Sequence, residues 1–398
     1  MMMNRNFNPS DLLAASKTLR ENKSWAIFTH RKSDGDAMGS AAALFEAGTN
    51  LGKNVSWFSP DEKLPEGYRY LPHFGDFRTC EDFSFIDDRN SSAQAPVFRH
   101  WDKPLVCYNK KIVGASTIGG ELVRPEESGK FEDTRIPRLQ SWGVCQGTLY
   151  VFLDCASETR SVSGYEAGKG INSLNIDHHE DNSLYARVNC VDGSASSTCE
   201  MLYRIFDADN WVITQRIAES LYTGIFTDTG GFSFSNTSPL THNIAAELIK
   251  LGVEPALMTD RISQNKNQAD LQIWARALSR VKVFGEGGIF AVSMIYADDF
   301  RETGADTTGT EGLSQMFMSV RGVKFIAVAT EYPDGAVRLS IRSRDGAPFG
   351  AGEFAREFGG GGHQKAAGCN FDYPAKSVMA ELESSILRKY HECLNTHQ

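Results

Sequence analysis

Three short apolar runs in the first half of the chain each end directly before an acid or a histidine. In open α/β sheets, ligands bind outside the carboxyl ends of the strands, so polar residues in these positions can share one crevice. A strand, a polar loop, a helix and a further strand in succession are typical of a parallel α/β sheet. The three junctions are Trp25–Thr29 before His30, Leu149–Leu153 before Asp154, and Ile171–Ile176 before Asp177.

The rest of the first 262 residues extends this alternation. Residues 54–58 form a further apolar strand, and residues 37–47 are rich in helix formers. Between residues 78 and 146 the alternation gives way to short strand-like pieces with scattered Gly, Ser and Pro. The sequence therefore predicts a first domain over residues 1–262, built on a parallel sheet and interrupted by a β-rich insertion over residues 78–146.

A connector separates this domain from a smaller one. Residues 263–281 are polar and have a helical pattern, as expected of a linker. Strands over residues 288–296 and 322–331 follow, and the chain closes with a helix from residue 375. The predicted fold class is α/β, with a smaller C-terminal α/β domain over residues 282–398.

Composition argues against several classes of protein. The eight cysteines include no C-x-x-C pair, which argues against a zinc ribbon and a disulfide framework. No apolar run approaches the roughly 20 residues that span a bilayer, and the polar N-terminus lacks a signal peptide's apolar segment, so no membrane partner and a cytoplasmic location are expected. The net charge of −9 disfavours a grip on long nucleic acid and favours a short anionic ligand.

The acids and histidines at the junctions have the chemistry of a metal site. Taken singly, the loop His30–Asp36 can be solvated, Asp154 can be a strand-end or capping residue, and Asp228–Gly230 is most often a turn. Converging on one crevice, their carboxylates would repel strongly unless cations neutralised them. Carboxylates mixed with imidazoles suit Mn²⁺, with Mg²⁺, Fe²⁺ or Co²⁺ as alternatives. Two such ions about 3.5–4 Å apart, with a bridging carboxylate, predict hydrolysis of a phosphoric ester or anhydride.

Four clusters resemble motifs I to IV of the DHH phosphoesterase superfamily: His30–Asp36, Asp154, Asp177–His179 and Asp228–Gly230. This superfamily includes RecJ exonucleases, family II pyrophosphatases, NrnA-type oligoribonucleases, pGpG hydrolases and cyclic-di-AMP phosphodiesterases. The stretches Arg342–Arg344 and Gly359–Gly368 are similar to its C-terminal accessory domain. The resemblance implies an N-terminal phosphoesterase domain, a smaller accessory domain and an active site in the cleft between them.

The resemblance also implies a role for each residue. One metal would be held by His30, Asp34 and Asp228, a second by Asp36 and His178, with Asp154 as the bridging ligand. His179 would contact the scissile phosphate, and Asp177 would orient the histidines. Ser33 stands where the first motif usually has proline, a departure that touches no ligand. The residues expected to bind substrate are Arg342, Ser343, Gly360, Gly361, Gly362 and His363.

Four consecutive glycines let backbone N–H groups approach an anion closely, and a two-domain cleft would measure substrate length. We therefore expect a phosphodiesterase with two Mn²⁺ ions that acts as an exoribonuclease on short linear oligonucleotides, chiefly dinucleotides such as pGpG or pApA, and releases 5′-mononucleotides. The alternatives are a cyclic dinucleotide phosphodiesterase, a 3′-phosphoadenosine 5′-phosphate phosphatase and a non-enzymatic nucleotide-binding sensor. The insertion could be a lid, a surface embellishment or a contact in a homodimer.

Overall fold

The structure is a computed structural model that describes residues 7–80, 147–161, 171–264, 266–310, 312–362, 364–371 and 375–396. The chain divides into two compact units, Met1–Ile262 and Ser263–Gln398. All but the first three residues of the predicted insertion lie outside the described residues. Within the described part, no helix combines the length and the apolar character needed to cross a membrane.

The first unit contains a six-stranded sheet in which every pair of neighbouring strands is parallel. Its strands are β1 (Ser24–Phe28), β2 (Asn54–Ser59), β3 (Phe77–Thr79), β4 (Leu149–Leu153), β5 (Ser173–Asp177) and β6 (Val188–Val191), in the spatial order β3-β2-β1-β4-β5-β6. Every residue of β4 and β5 is buried, as expected of central parallel strands covered on both faces. The predicted parallel sheet is confirmed.

The described residues of this unit form six α-helices: α1 (Ser10–Glu21), α2 (Gly35–Asn50), α3 (Thr198–Ala208), α4 (Gln215–Asp228), α5 (Pro239–Lys250) and α6 (Pro255–Ser263). One core cluster includes Trp25 and Ile27 of β1 with helix residues such as Leu44 and Leu221. The alternate β1 residues, Ala26 and Phe28, lie in a second cluster. Because successive side chains of β1 point to opposite faces of the sheet, this strand contributes to the core on both faces.

Helices α2 and α4 approach each other closely because glycines face the contact. A Cβ on Gly39 would lie 2.5 Å from the carbonyl oxygen of Ser220. A Cβ on Gly224 would lie 2.4 Å from Oδ1 of Asp36 and 2.3 Å from Sγ of Cys199. The pair of helices could not hold this spacing with larger residues at either position.

The second unit is built on a mixed six-stranded sheet. Its strands are β7 (Lys282–Phe284), β8 (Phe290–Ile295), β9 (Phe325–Glu331), β10 (Val337–Ser343), β11 (Gly361–Gly362) and β12 (Ala366–Phe371), in the order β11-β12-β10-β9-β8-β7. Strands β8 and β9 are parallel, and the other neighbouring pairs are antiparallel. Its helices are α7 (Gln268–Ser279), α8 (Ala297–Thr303), α9 (Leu313–Phe317), α10 (Ala351–Arg356) and α11 (Ala375–Thr396).

Each face of this second sheet carries a core. Phe290, Leu339 and Ile341 belong to the cluster that includes α10 and α11 residues, whereas Ala291 and Ile326 belong to the cluster that includes α7 and α9 residues. Helix α7 occupies most of the segment expected to be a linker. Its Ile273 and Ala277 are fully buried in the second unit's core, so this helix is packed into that unit.

We expect Gly39→Ala to lower the free energy of unfolding by about 1–3 kcal/mol, because the added methyl would overpack the contact between α2 and α4. Chemical denaturation monitored by circular dichroism measures the change. Gly75→Ala is the matched control: a Cβ at Gly75 meets no heavy atom within 4 Å, so its stability should change by less than about 0.5 kcal/mol. Equal stabilities of the two variants would contradict the close helix contact.

Candidate metal centre

Three neighbouring strands deliver acids and histidines to one edge of the first sheet. His30 lies two residues beyond the end of β1, Asp154 directly follows β4, and Asp177 is the last residue of β5. Strands β1, β4 and β5 are adjacent in the sheet, so their carboxyl ends lie together. His178 and His179 follow Asp177 directly. The structure thus brings together the three strand-end clusters found in the sequence.

Two helix ends complete the cluster. Asp34 is the N-cap of α2, where its Oδ1 accepts hydrogen bonds from the backbone N–H groups of Asp36 (3.1 Å) and Ala37 (3.2 Å). Asp36 lies in the first turn of the same helix and is fully buried. Asp228 is the last residue of α4. The close contact between α2 and α4 therefore places acids from two helices beside the strand ends.

The imidazole of His30 is oriented by the backbone. Its Nδ1 lies 2.9 Å from the carbonyl oxygen of Arg31, so Nδ1–H donates to that carbonyl. Nε2 faces the acids, 3.3 Å from Oδ2 of Asp154 and 3.8 Å from Oδ1 of Asp34. A hydrogen bond at one ring nitrogen that leaves the other directed at carboxylates is typical of a metal-ligating histidine.

His178 faces a different set of acids. Its Nε2 lies 3.1 Å from Oδ2 of Asp228, 3.5 Å from Oδ1 of Asp154 and 3.9 Å from Oδ2 of Asp36. The two oxygens of Asp154 therefore face two different imidazoles, Oδ2 toward His30 and Oδ1 toward His178. This is the arrangement required of a carboxylate that bridges two ions.

Asp154 is held in an uncommon backbone conformation. Its φ of +57° lies in the left-handed region, which non-glycine residues adopt at a cost of about 1–3 kcal/mol. Asp and Asn tolerate this region better than most residues. The side chain is almost completely buried, and its Oδ1 accepts a hydrogen bond from Oγ1 of Thr198 at 3.1 Å.

The N-terminus of α3 binds the carboxylate of Asp36. The backbone N–H of Thr198 donates to Oδ2 at 2.6 Å, and that of Cys199 donates to Oδ1 at 2.9 Å. A helix N-terminus favours negative charge in this position. Sequence reasoning missed both residues as parts of the site. The available signal was the capping pattern at Ser196–Thr198, which predicts the start of a helix. The backbone N–H groups at a helix start can bind an anion.

Asp177 acts on the two histidines beside it. Its Oδ1 accepts from the backbone N–H of His178 at 2.8 Å and from Nδ1 of His179 at 2.7 Å. Its Oδ2 accepts from Nδ2 of Asn182 at 2.6 Å. Asn182 was also missed by sequence reasoning, because an asparagine in a loop has no spacing signature. The contacts of Asp177 therefore orient the imidazole of His179, hold the backbone at His178 and tie down the loop at Asn182.

Burial and mutual repulsion shift the acids of this cluster. Burial, together with the charges of Asp154 and Asp228, raises the pKa of Asp36 well above its usual value. Burial also raises the pKa of Asp228, to about 6. Burial alone would raise the pKa of Asp154, but hydrogen bonds from His178 and His30 hold it well below the usual range.

The histidines shift in the opposite sense to that expected from burial. Burial would lower the pKa of His30, but the hydrogen bonds to Asp154 and Asp34 raise it to about 12. The pKa of His178 is likewise raised by Asp154 and Asp228 against the effect of burial. In the metal-free chain, protons on the imidazoles therefore balance the carboxylates.

In the part of the chain that the structure describes, three groups of side chains have ligand atoms close enough together to hold a metal ion. They are His30, Asp34 and Asp154; Asp36, His178 and Asp228; and Asp154, Asp177, His178 and His179. Asp228, assigned with His30 and Asp34 by the sequence resemblance, is grouped here with Asp36 and His178. The reason is that the end of α4 places its carboxylate against His178.

The donor set fits a divalent cation that prefers oxygen and imidazole ligands. Buried carboxylates need a neutralising charge, and the metal would replace the protons on the imidazoles. Among the described residues, no cysteine belongs to a group whose ligand atoms lie close enough together to hold an ion, so the donors are carboxylates and imidazoles.

The second unit holds the residues expected to bind substrate. Arg342 lies on β10, half-buried, and donates from Nη1 to the carbonyl of Ile341 at 3.0 Å. Ser343 is buried, and its hydroxyl donates to the carbonyl of Gln364 at 2.8 Å and accepts from the N–H of Ala351 at 3.1 Å. Its hydroxyl hydrogen is thus donated within the unit, and a contact of Ser343 with substrate stays a prediction.

The glycine run serves the packing of this unit. Gly361 and Gly362 form β11, and a Cβ on Gly360 would lie 2.3 Å from the carbonyl oxygen of Gly368. The glycines therefore permit close approach to β12. His363 lies outside the described residues.

Comparison with known proteins identifies the families of both units. The model of the DHH family N-terminal domain matches residues 24–225, and that of the DHHA1 domain matches residues 287–395. A bifunctional oligoribonuclease and PAP phosphatase NrnA from Thermus thermophilus is 29% identical to this chain and covers 91% of it and 90% of its own length. The Bacillus subtilis protein of the same name is 28% identical over 62% of this chain and 77% of its own.

A solved structure shares the fold. An exopolyphosphatase-related protein from Bacteroides fragilis superposes with a TM-score of 0.73 at 18% identity, covering 98% of this chain and 99% of that one. At this identity the likeness concerns the fold.

Binding of Mn²⁺ to the metal-free chain near neutral pH should release protons. The raised pKa values of His30 and His178 keep both imidazoles protonated there, and a ligand nitrogen must lose its proton. Apparent affinity should therefore rise with pH. Titration calorimetry in buffers of different ionisation enthalpy measures the release. His30→Asn should release fewer protons and His391→Ala, an exposed histidine of α11, the same number as wild type. A binding heat independent of the buffer would refute the protonated state.

Asn182→Ala should weaken Mn²⁺ binding about 10-fold to 100-fold, because the loss of its bond to Asp177 frees the carboxylate that bonds to both histidines. Asn189→Ala is the control, since its amide bonds the carbonyl of Ala186 in the same segment. Metal titration of both variants gives the comparison, with thermal unfolding to verify folding. If the two variants bind Mn²⁺ equally, Asn182 has no positioning role.

Proposed function

The chain belongs to the DHH family and is a phosphoester hydrolase, and from that premise we propose that it is a Mn²⁺-dependent phosphodiesterase acting on short linear oligonucleotides. Its main substrates are dinucleotides such as pGpG or pApA, which it converts to 5′-mononucleotides. The observation that carries the proposal is the carboxylate of Asp154, whose Oδ2 faces His30 and whose Oδ1 faces His178. The substrate class is supported by the Thermus thermophilus and Bacillus subtilis relatives, which are named as oligoribonucleases and PAP phosphatases.

We assign two ions to the cluster. His30, Asp34 and Asp154 would hold one, and Asp36, His178 and Asp228 would hold the other, with Asp154 as the ligand that both ions would share. Mn²⁺ suits these donors, and Mg²⁺, Co²⁺ or Fe²⁺ would also fit. When bound, the ions supply an activated water and neutralise charge on the phosphoryl oxygens.

His179 and Asp177 contribute from the protein side. Burial would lower the pKa of His179, but its hydrogen bond with Asp177 raises it. Asp177 accepts a hydrogen bond from Nδ1–H of His179 and so directs the ring, and a protonated imidazole can donate from Nε2 to a phosphate oxygen. This is the role that we assign to His179, with Asp177 as the residue that fixes the ring.

Arg342 is the second unit's candidate contact for a substrate phosphate. Burial lowers the pKa of its guanidinium, and no carboxylate among the described residues forms an ion pair with it. An arginine without an acidic partner retains its charge-assisted donors for a ligand. Ser343 and the glycines Gly360, Gly361 and Gly362 support the surrounding backbone, and His363 remains a predicted contact.

A second activity, removal of the 3′-phosphate from 3′-phosphoadenosine 5′-phosphate, is favoured by one observation. The Thermus thermophilus and Bacillus subtilis relatives are both named as oligoribonucleases and PAP phosphatases. Both reactions transfer a phosphoryl centre to water, so the same cluster would serve either substrate.

A product-resolved assay with Mn²⁺ tests these proposals. The purified chain is incubated separately with pGpG, pApA, cyclic dinucleotides, longer RNA and 3′-phosphoadenosine 5′-phosphate, and the products are separated by chromatography. Rapid release of mononucleotides from the dinucleotides supports the main proposal. Preferred cleavage of the cyclic compounds or of long RNA would contradict the main proposal and identify that compound as the preferred substrate.

Two substitutions separate chemistry from binding. His178→Ala should abolish turnover, because it removes a ligand that faces three carboxylates. Arg342→Ala should raise KM by about 10-fold to 100-fold with a smaller effect on kcat, since a charged hydrogen bond contributes about 1.5–3 kcal/mol. His391→Ala and Arg301→Ala, both exposed, serve as matched controls. Normal turnover by His178→Ala would refute the metal assignment.

A further inference from the structure

The loop that follows Asp228 is folded back onto the end of α4. The carbonyl of Thr229 accepts hydrogen bonds from the N–H groups of Ser233 and Phe234, each at 2.9 Å. The N–H of Gly231 donates to the carbonyl of Phe226 at 2.7 Å. These bonds fix the position of Phe234 relative to the acid that ends the helix.

A second tie joins the same loop to the cluster. Nδ2 of Asn236 donates to the carbonyl of Asp228 at 3.1 Å and to the carbonyl of Ser196 at 3.0 Å. Ser196 lies two residues before Thr198, whose side chain bonds Asp154. The loop is therefore anchored at both the α4 and the α3 side of the metal centre.

Phe234 is displayed on this anchored loop. Gly230, with φ of +57°, lies beneath the ring: a Cβ there would sit 2.4 Å from Cζ of Phe234. The side chain nevertheless stays 37% exposed, and it is the only aromatic among the exposed large apolar side chains of the described residues. Its neighbour Phe232 instead packs against Tyr222, Phe226 and His242.

The two aromatic residues thus have different roles. Phe232 anchors the loop through ring contacts, whereas Phe234 contributes an apolar surface that water covers in the free chain. A partly exposed ring on the anchored loop that follows Asp228 has the form of a stacking platform for a planar ligand. Since a neutral base carries no charge, the surrounding carboxylates do not repel it.

We propose that Phe234 forms a nucleobase-stacking subsite for the nucleotide whose phosphate lies at the metal centre. This inference rests on the proposed function and deepens it, because it assigns the base of the substrate a contact on the first unit. Stacking on an aromatic ring tolerates every base. The subsite would favour nucleotides over inorganic phosphate compounds at the same cluster.

The test compares the Mn²⁺-loaded wild type with Phe234→Ala, Phe234→Leu and Phe234→Trp. The substrates are a dinucleotide and a matched dimer in which the base on the scissile side is replaced by hydrogen. Phe234→Ala and Phe234→Leu should raise KM for the dinucleotide about 10-fold, equivalent to about 1.4 kcal/mol, while kcat falls much less. Phe234→Trp should keep KM within about twofold, since indole offers an equivalent stacking face.

The base-free dimer distinguishes a loss of base stacking from a structural effect of the substitution. Its KM should already be high in the wild type and should be unchanged by Phe234→Ala. Leu240→Ala, an exposed apolar residue in the first turn of α5, is the matched control and should behave as wild type. Phe234→Leu keeps the apolar volume and thermal unfolding verifies its fold, so a failure of Phe234→Ala to fold leaves the test intact.

The outcomes distinguish this inference from the function on which it rests. An active wild type whose KM is unaffected by Phe234→Ala and Phe234→Leu would overturn the stacking subsite alone. Equal losses on the dinucleotide and the base-free dimer would also overturn it, because they indicate a purely structural role. A wild type that hydrolyses no oligonucleotide at all would overturn the proposed function and the subsite together.

Discussion

Crowding of carboxylates at the ends of β1, β4 and β5 is the constraint on which the first unit depends. Negative charges in a poorly hydrated site repel each other strongly, and each must be balanced by a cation or by oriented N–H groups. The protein uses imidazolium at His30 and His178, and helix N–H groups at Asp36. A divalent ion would take over the balancing charge from the imidazoles, which is why metal binding and proton loss are linked here.

In this unit, the contact between α2 and α4 determines both the packing of the helices and the positions of the acids that could bind metal. Gly224 leaves room beside Oδ1 of Asp36, and Gly39 lets α4 approach the same stretch of α2. The N-terminus of α3 then closes over the Asp36 carboxylate. A change that pushed these helices apart would also separate Asp36 from Asp228, since one acid lies on each helix. The positions of these two acids therefore depend on the packing of the helices that carry them.

The features that could be predicted from the sequence are those that depend on a local pattern of residues. Apolar runs that end in acids were enough to predict the parallel sheet and to bring His30, Asp154 and Asp177 to one edge, because neighbouring parallel strands end on the same side. The partner of Asp228 depended on how α4 packs against α2, which no residue spacing reports. Hydrogen bonds donated by backbone N–H groups, such as that of Cys199, cannot be predicted from the type of residue. The bonds that the Ser343 hydroxyl makes with Gln364 and Ala351 were equally beyond residue spacing, and its contact with substrate stays a prediction.

The left-handed backbone at Asp154 has a practical consequence for obtaining substrate complexes. Asparagine has nearly the same shape as aspartate and is among the few residues that accept a positive φ readily, so it can occupy this position without reshaping the turn. It lacks the negative charge with which the carboxylate would join two ions. An inert chain with an intact crevice is what crystallographic trapping of an uncleaved ligand requires. Alanine would remove the charge and also leave the turn strained, which makes asparagine the better choice at this residue.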